Sequence, residues 1–262
     1  MRIGIFDSGL GGLTVARAIR EKLPQADLFY FGDTARVPYG IKSAESVNRY
    51  ALEIAKYLRF TRNIDVLVAA CNTVSATAIP TIKEAIGEIQ LFDVISAAIE
   101  LISTTAPENS SIAVLGTLAT IRSEAYETRL NLKRPDLKIS TQACPLLVPL
   151  AEEGWIDHPV AIESLRIYLA PFLKNTPDYL ILGCTHYPLF KEVILHLFEG
   201  KKPILVDSAD TIALALAANQ TTLDLSHKGC MDVTVSDIPQ RFEILMERFL
   251  GIHADFISRH AF

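Results

Sequence analysis

Cysteine is scarce and scattered in this sequence: Cys71, Cys144, Cys184 and Cys230 stand 73, 40 and 46 positions apart, with no CxxC pair. That spacing excludes a disulfide scaffold and a compact zinc motif, so all four are expected to be reduced thiols. Basic runs are equally short. None exceeds the pairs Lys133–Arg134 and Lys201–Lys202, and the formal net charge is −5, which is not the electrostatic footprint of a nucleic-acid binder. No apolar stretch approaches the roughly 18 residues of a membrane span. Asp7 interrupts the N-terminus before a signal-peptide core could form. The expectation is a soluble, cytoplasmic protein with neither nucleic acid nor membrane as partner. The glycine-rich stretch from Asp7 to Leu13 matches neither G-x-G-x-x-G nor the lysine-bearing phosphate loop, which argues against nucleotide binding.

What the sequence does contain is a repeat. Asp65-Val-Leu-Val-Ala-Ala-Cys71-Asn-Thr73 returns as Asp178-Tyr-Leu-Ile-Leu-Gly-Cys184-Thr-His186, an offset of 113 positions, and Ile3-Gly-Ile-Phe-Asp7 returns as Ile112-Ala-Val-Leu-Gly116 at an offset of 109. The chain therefore reads as two related halves with a small insertion. With 262 residues and 50% apolar content, both halves can bury a core. Short β-rich runs at Arg2–Phe6, Leu28–Gly32, Val66–Ala70, Phe92–Val94, Ile112–Leu115, Lys138–Gln142, Tyr179–Leu182 and Ile204–Val206 alternate with helical patterns. Several are apolar without alternation, as in parallel strands covered on both faces. The expected fold is α/β: two pseudo-symmetric, doubly wound domains with mainly parallel sheets and the active site in the cleft between them. The expected boundaries are 1–97 with 208–262 for one domain and 98–207 for the other. Ser208-Ala-Asp210 should open a short helix. Ser236-Asp-Ile-Pro239 should open a last one, with Phe242, Leu245, Met246 and Phe249 on one face and Gly251 as its stop.

In open α/β sheets, ligands collect at the carboxyl ends of strands, where Asp7, Cys71, Thr117 and Cys184 are all expected. Two thiols at matched ends of matched strands can stand on opposite sides of one carbon, so that a proton leaves one face and returns to the other. Thiol suits this work: at pH 7 an unperturbed cysteine of pKa about 8.5 costs only about 2 kcal/mol to ionise, yet is a far stronger base than a carboxylate. One sulfur must be thiolate while the other is thiol, so the pair titrates as a unit. Asp7 and His186 are candidates to manage that proton, His186 lying on the same side as Cys184 if the segment is extended. Ser8, Asn72, Thr73 and Thr185, read as helix starts, offer donors for carboxylates. The loop around Pro38 contributes Tyr39 and the Gly40 amide. Cys144 and Cys230 lack such company and are read as structural.

Together these segments resemble the glutamate racemase family, which supplies D-glutamate for bacterial peptidoglycan. The motifs Phe6-Asp-Ser-Gly-Leu-Gly-Gly12, Gly32-Asp-Thr with Pro38-Tyr-Gly40, Cys71-Asn-Thr73, Gly116-Thr-Leu-Ala-Thr120 and Gly183-Cys-Thr-His-Tyr-Pro188 stand in that family's order. The resemblance implies a cofactor-independent, metal-free two-base enzyme, a homodimer, in which Cys184 deprotonates L-glutamate with help from His186 and Cys71 deprotonates D-glutamate with help from Asp7. It further implies substrate contacts from Asp7, Ser8, Tyr39, Gly40, Asn72, Thr73, Thr185 and His186, with Thr117 and Thr120 added, and an acidic neighbour in Glu152. No extension precedes the first strand of the kind found in members activated by a peptidoglycan precursor, so activity without such an activator is expected. Some members are reported to bind and restrain DNA gyrase; nothing in these residues shows that surface.

Three other chemistries compete. A related racemase could act on aspartate. A cysteine hydrolase could use Cys184 and His186, but would leave Cys71 without a role. A zinc site of Cys71, Cys184 and His186 lacks a short-spaced fourth ligand. Ile252–Phe262 matches no pattern.

Overall fold

The computed structural model describes residues 1–219 and 226–262. Its strands are β1 (Arg2–Asp7), β2 (Asp27–Gly32), β3 (Val66–Ala69), β4 (Gln90–Asp93), β5 (Ser111–Gly116), β6 (Lys138–Ala143), β7 (Tyr179–Gly183), β8 (Ile204–Asp207), β9 (Met231–Val235) and β10 (Phe256–Arg259). They form two sheets, β10-β9-β2-β1-β3-β4 and β6-β5-β7-β8, in which every pairing is parallel. The sequence repeat is also a topological one. The order β2-β1-β3-β4 in the first sheet is the order β6-β5-β7-β8 in the second, with β1 and β5 as the equivalent central strands. Each sheet reverses direction of growth at its central strand, which opens a crevice at the carboxyl ends of β1 and β3, and again of β5 and β7.

Burial on both faces explains why these strands read as continuous apolar runs. Ile3 and Ile5 of β1 enter one core with Leu13, Val15 and Ile19 of the helix Leu13–Lys22, while Phe6 enters the core on the opposite face with Val47, Ile54 and Leu67. The second sheet is covered in the same way, by two further cores centred on Leu115 and Leu182 and on Val114 and Ile181. Each such side chain removed from water contributes about 1.5–3 kcal/mol. The helix Ser208–Ala218 ties the lobes together. It starts directly after β8, and the Asp207 side chain accepts from the Ala209 amide at 2.6 Å, which caps the helix. Its Ile212, Ala213 and Leu216 nevertheless lie in the core under β1.

Four expectations change. Val94, read as strand, begins the helix Val94–Thr105, because Asp93 accepts from the Ser96 amide and caps it. The last helix begins at Phe242 rather than near Ser236, whose hydroxyl instead donates to Asp33 at 2.8 Å. The helix opened at Ser208 is not short, since it spans 11 residues. The unmatched tail carries β10, and beyond it His260 stacks on Tyr57 at 4.2 Å while Phe262 packs on Phe31 at 5.3 Å. β9 and β10 lie outside the duplicated strands and extend the first sheet beyond β2.

Candidate active site

The carboxyl ends of the two sheets meet, and the side chains singled out in the sequence meet there. Asp7 ends β1, Cys71 lies two residues beyond β3, Thr117 follows β5 and Cys184 follows β7. Both cysteines are buried, at 5% and 6% exposure, and Asp7, Asn72, Thr73, Thr185 and His186 are buried with them. Contacts cross from lobe to lobe at several points. Thr73 Oγ1 lies 3.2 Å from Thr117 Oγ1 and 3.4 Å from Thr120 Oγ1, and the last two are 3.0 Å apart, giving a cluster of three hydroxyls. Asn72 is held by the Tyr126 hydroxyl, which donates to its Oδ1 at 2.8 Å, and Asn72 Nδ2 donates to Ser208 Oγ at 3.4 Å. Thr14 Oγ1 donates to the Thr185 carbonyl at 3.2 Å.

Each thiol has its own partner. Asp7 Oδ2 accepts from the amides of Gly9 and Gly12 at 3.1 and 3.0 Å, while its Oδ1 has no hydrogen-bond partner among the described residues. Burial raises the Asp7 carboxyl above the usual carboxylate range, against the positive charge of His186 and three backbone amides. Cys71 is pushed up to about 12, first by burial and next by Asp7, with the Val74 amide and the Ser8 hydroxyl pulling the other way. On His186 burial acts in the opposite direction. Burial alone would lower it, but hydrogen bonds to Cys184 and Glu152 and their negative charge outweigh that, raising the ring to about 10. His186 Nδ1 stands 3.9 Å from Cys184 Sγ, and Nε2 stands 3.1 Å from Glu152 Oε1. Cys71 is thus held protonated near the Asp7 carboxyl group, while Cys184 lies beside the His186 ring.

The fit of the lobes at this point depends on Gly11. A Cβ there would stand 2.6 Å from Thr185 Oγ1 and closer still to Cε1 and Nδ1 of His186, so only glycine lets the loop after β1 lie against the ring. The segment after β7 is not extended as expected. His186 adopts helical angles, φ −83° and ψ −28°, and Cys184 and His186 meet across a turn before the 3-10 helix Tyr187–Phe190. Period-2 reasoning fails there because the strand has ended at Gly183. Ser8 is likewise not at a helix start, since the helix begins at Leu13, but its hydroxyl does reach Cys71. Asn72 and Thr73 do open a helix, Asn72–Thr77, whereas Thr185 stands in the turn before Tyr187. Tyr39 is fully buried and its hydroxyl donates to Asp33, so it braces the loop, and Gly40 lies against Thr117. A cleft of about 280 Å³ opens beside these residues, lined by Gly40, Lys42, Thr73, Thr77, Leu118 and Arg122 among others. Neither Cys71 nor Cys184 lines this cleft.

The model of the Asp/Glu/Hydantoin racemase family matches residues 13–216. A glutamate racemase from Geobacter metallireducens is 45% identical over 253 residues, covering 95% of this chain and 92% of that protein. The chain belongs to the glutamate racemases of that family. Among solved structures, the glutamate racemase from Francisella tularensis in complex with D-glutamate matches with a TM-score of 0.88 at 32% identity, covering 99% of this chain and 97% of that one. A glutamate racemase isoform from Bacillus anthracis matches with a TM-score of 0.90 at 32% identity, over 98% and 97%. Family membership makes this chain an amino-acid racemase with two parallel-sheet lobes.

Cys144 is buried and its thiol raised by burial, while Cys230 is only partly buried, on the far side of the first lobe beside Asp27. Among the described residues, no group of three or more His, Cys, Asp or Glu side chains is placed to hold a metal ion. No helix among them is long and apolar enough to cross a membrane. Two contributors escaped sequence reasoning. Phe249 was recognised only as a core residue, yet its ring packs edge-on to His186 at 5.0 Å, and Asp33 is fully buried at the centre of the Arg36, Tyr39 and Ser236 contacts. Phe249 depends on a partner 63 positions away, and Asp33 joins the local Arg36 and Tyr39 to the remote Ser236, 203 positions on, which no local spacing announces.

Proposed function

We propose that this protein interconverts L- and D-glutamate without a cofactor, using Cys184 and Cys71 as the two acid–base groups. The observation that carries this is the placement of two buried thiols at equivalent strand ends, Cys71 near Asp7 and Cys184 beside His186. With L-glutamate between the two thiols, Cys184, paired with His186, takes the Cα proton. Cys71, kept as a thiol by burial and Asp7, gives its proton to the other face. In the reverse direction the two exchange roles, and the proton deficit moves from one sulfur to the other.

Negative charge that develops on the α-carboxylate as the proton leaves needs fixed donors. The Thr73, Thr117 and Thr120 hydroxyls and the Asn72 amide are grouped to supply them, with Ser8, Thr185 and the Gly40 amide around them. The free Oδ1 of Asp7 suits the substrate ammonium. The buried setting also keeps water from the carbanion. D-Glutamate made in this way would serve peptidoglycan synthesis in the cytoplasm, from a homodimer whose lobes are residues 1–97 with 208–262 and 98–207. Purified protein incubated with L-glutamate alone, followed by chiral chromatography, should approach a racemic mixture. Aspartate run in parallel tests substrate choice, and a chain that racemises aspartate but leaves glutamate unchanged would overturn the assignment.

A further inference from the structure

The helix Phe242–Leu250 belongs to the first lobe, yet its last turn lies against the second, beside the partners of Cys184. Arg248 Nη1 donates to the carbonyl oxygens of Ala151 at 3.0 Å and Glu152 at 2.5 Å. These are among the last carbonyls of the helix Leu147–Glu153, at the negative end of its dipole, and the Ala151 oxygen also accepts from the Gly154 amide at 3.1 Å. Gly154, at φ 78°, ends that helix in the left-handed region, and a Cβ there would stand 2.7 Å from Arg248 Cζ and nearer still to Nη2. Only glycine lets the guanidinium lie across the helix end. Glu152 itself sits at the rim, its side chain 36% exposed against 5% for His186. A rim carboxylate on an unfixed backbone would readily turn to water.

We propose that Arg248 is a positioning residue for the reaction: by pinning the Ala151 and Glu152 carbonyls, it holds the Glu152 carboxylate on His186 Nε2 and so aims Nδ1 at Cys184. The proposal rests on the racemase assignment above. The titratable groups facing the His186 ring are Cys184, Glu152 and, within electrostatic range, Asp7. No contact joins Arg248 to the ring, so its effect passes through Glu152.

A double-mutant cycle tests this with Arg248→Met, which keeps bulk and loses the donors, Glu152→Gln, and the pair. Arg248→Lys serves as a second variant that keeps one donor. The readouts are kcat/KM against pH and the ¹⁵N signals of the His186 ring, with thermal unfolding as a check on folding. Arg248→Met should lower kcat about tenfold, the loss expected for one well-placed hydrogen bond, and move the His186 titration to lower pH. In the Glu152→Gln background it should add less than about a twofold loss, and Arg248→Lys should restore part of both effects. Losses that simply multiply, or a His186 titration unmoved in both Arg248 variants, would overturn the proposal. The ring titration needs no turnover. Failure of the wild-type protein to racemise glutamate would therefore count against the racemase assignment and not against Arg248.

Discussion

Replacing Gly11 with alanine probes the join between the lobes with a single methyl group. The new Cβ would stand within about 2.6 Å of Thr185 Oγ1 and of two atoms of the His186 ring, where ordinary carbon contacts are about 3.5–4.0 Å. Something must move by about 1 Å. The Gly11 backbone lies outside the positive-φ region, so the chain accepts alanine there and the ring and turn take up the displacement. Overpacking of this kind costs about 1–3 kcal/mol of stability, within the 5–15 kcal/mol typical of a domain, so the variant should fold with a lowered melting temperature. Catalysis should suffer more. A misplacement of about 1 Å at a reacting group costs about a hundredfold in rate, equivalent to about 2.7 kcal/mol of barrier. The assay is the initial rate of racemisation in both directions, by circular dichroism at saturating glutamate, on protein shown to be folded. A folded Gly11→Ala variant with kcat within about threefold of wild type would refute the claim that the His186 ring must stay where it is.

Cys71→Ser and Cys184→Ser should each remove most racemase activity while leaving the fold intact. Any residual Cα hydrogen exchange in deuterated water should be confined to L-glutamate in the first and D-glutamate in the second, and near-wild-type racemisation by either would show that its cysteine is structural. Dialysis against a chelator should leave full activity; a loss reversed by zinc would end the thiol-only mechanism. Stability should fall as pH rises from about 7 towards 10. The folded His186 value of about 10 lies above the ordinary value of about 6.5, so its contribution is full below pH about 6.5 and lost as pH climbs through about 10. His186→Gln should flatten that fall in urea-denaturation curves, and an unchanged slope would show that the ring is not the group responsible.

The duplicated strands were legible because parallel strands buried on both faces carry their signal within a few residues: Val66, Leu67 and Val68 need no partner to look like a strand. β10 carries no such signal. All four of its residues are exposed, so Phe256-Ile-Ser-Arg259 has neither alternation nor a buried run. The candidate residues could be picked out for the same local reason. Cys71-Asn-Thr73 and Cys184-Thr-His186 keep thiols and donors adjacent in the chain. Contacts set by tertiary packing were not legible, including Phe249 on His186, Arg248 on the end of the Leu147–Glu153 helix, and Ser236 on Asp33.

β9 sits beside β2, although 203 positions separate the paired residues Leu28 and Met231. During synthesis the second sheet, contiguous from β5 to β8, can assemble on its own, while the first waits with the β2 edge unpaired until the last strands leave the ribosome. Chains interrupted before Met231 should therefore be recognised by chaperones or proteases through that bare edge.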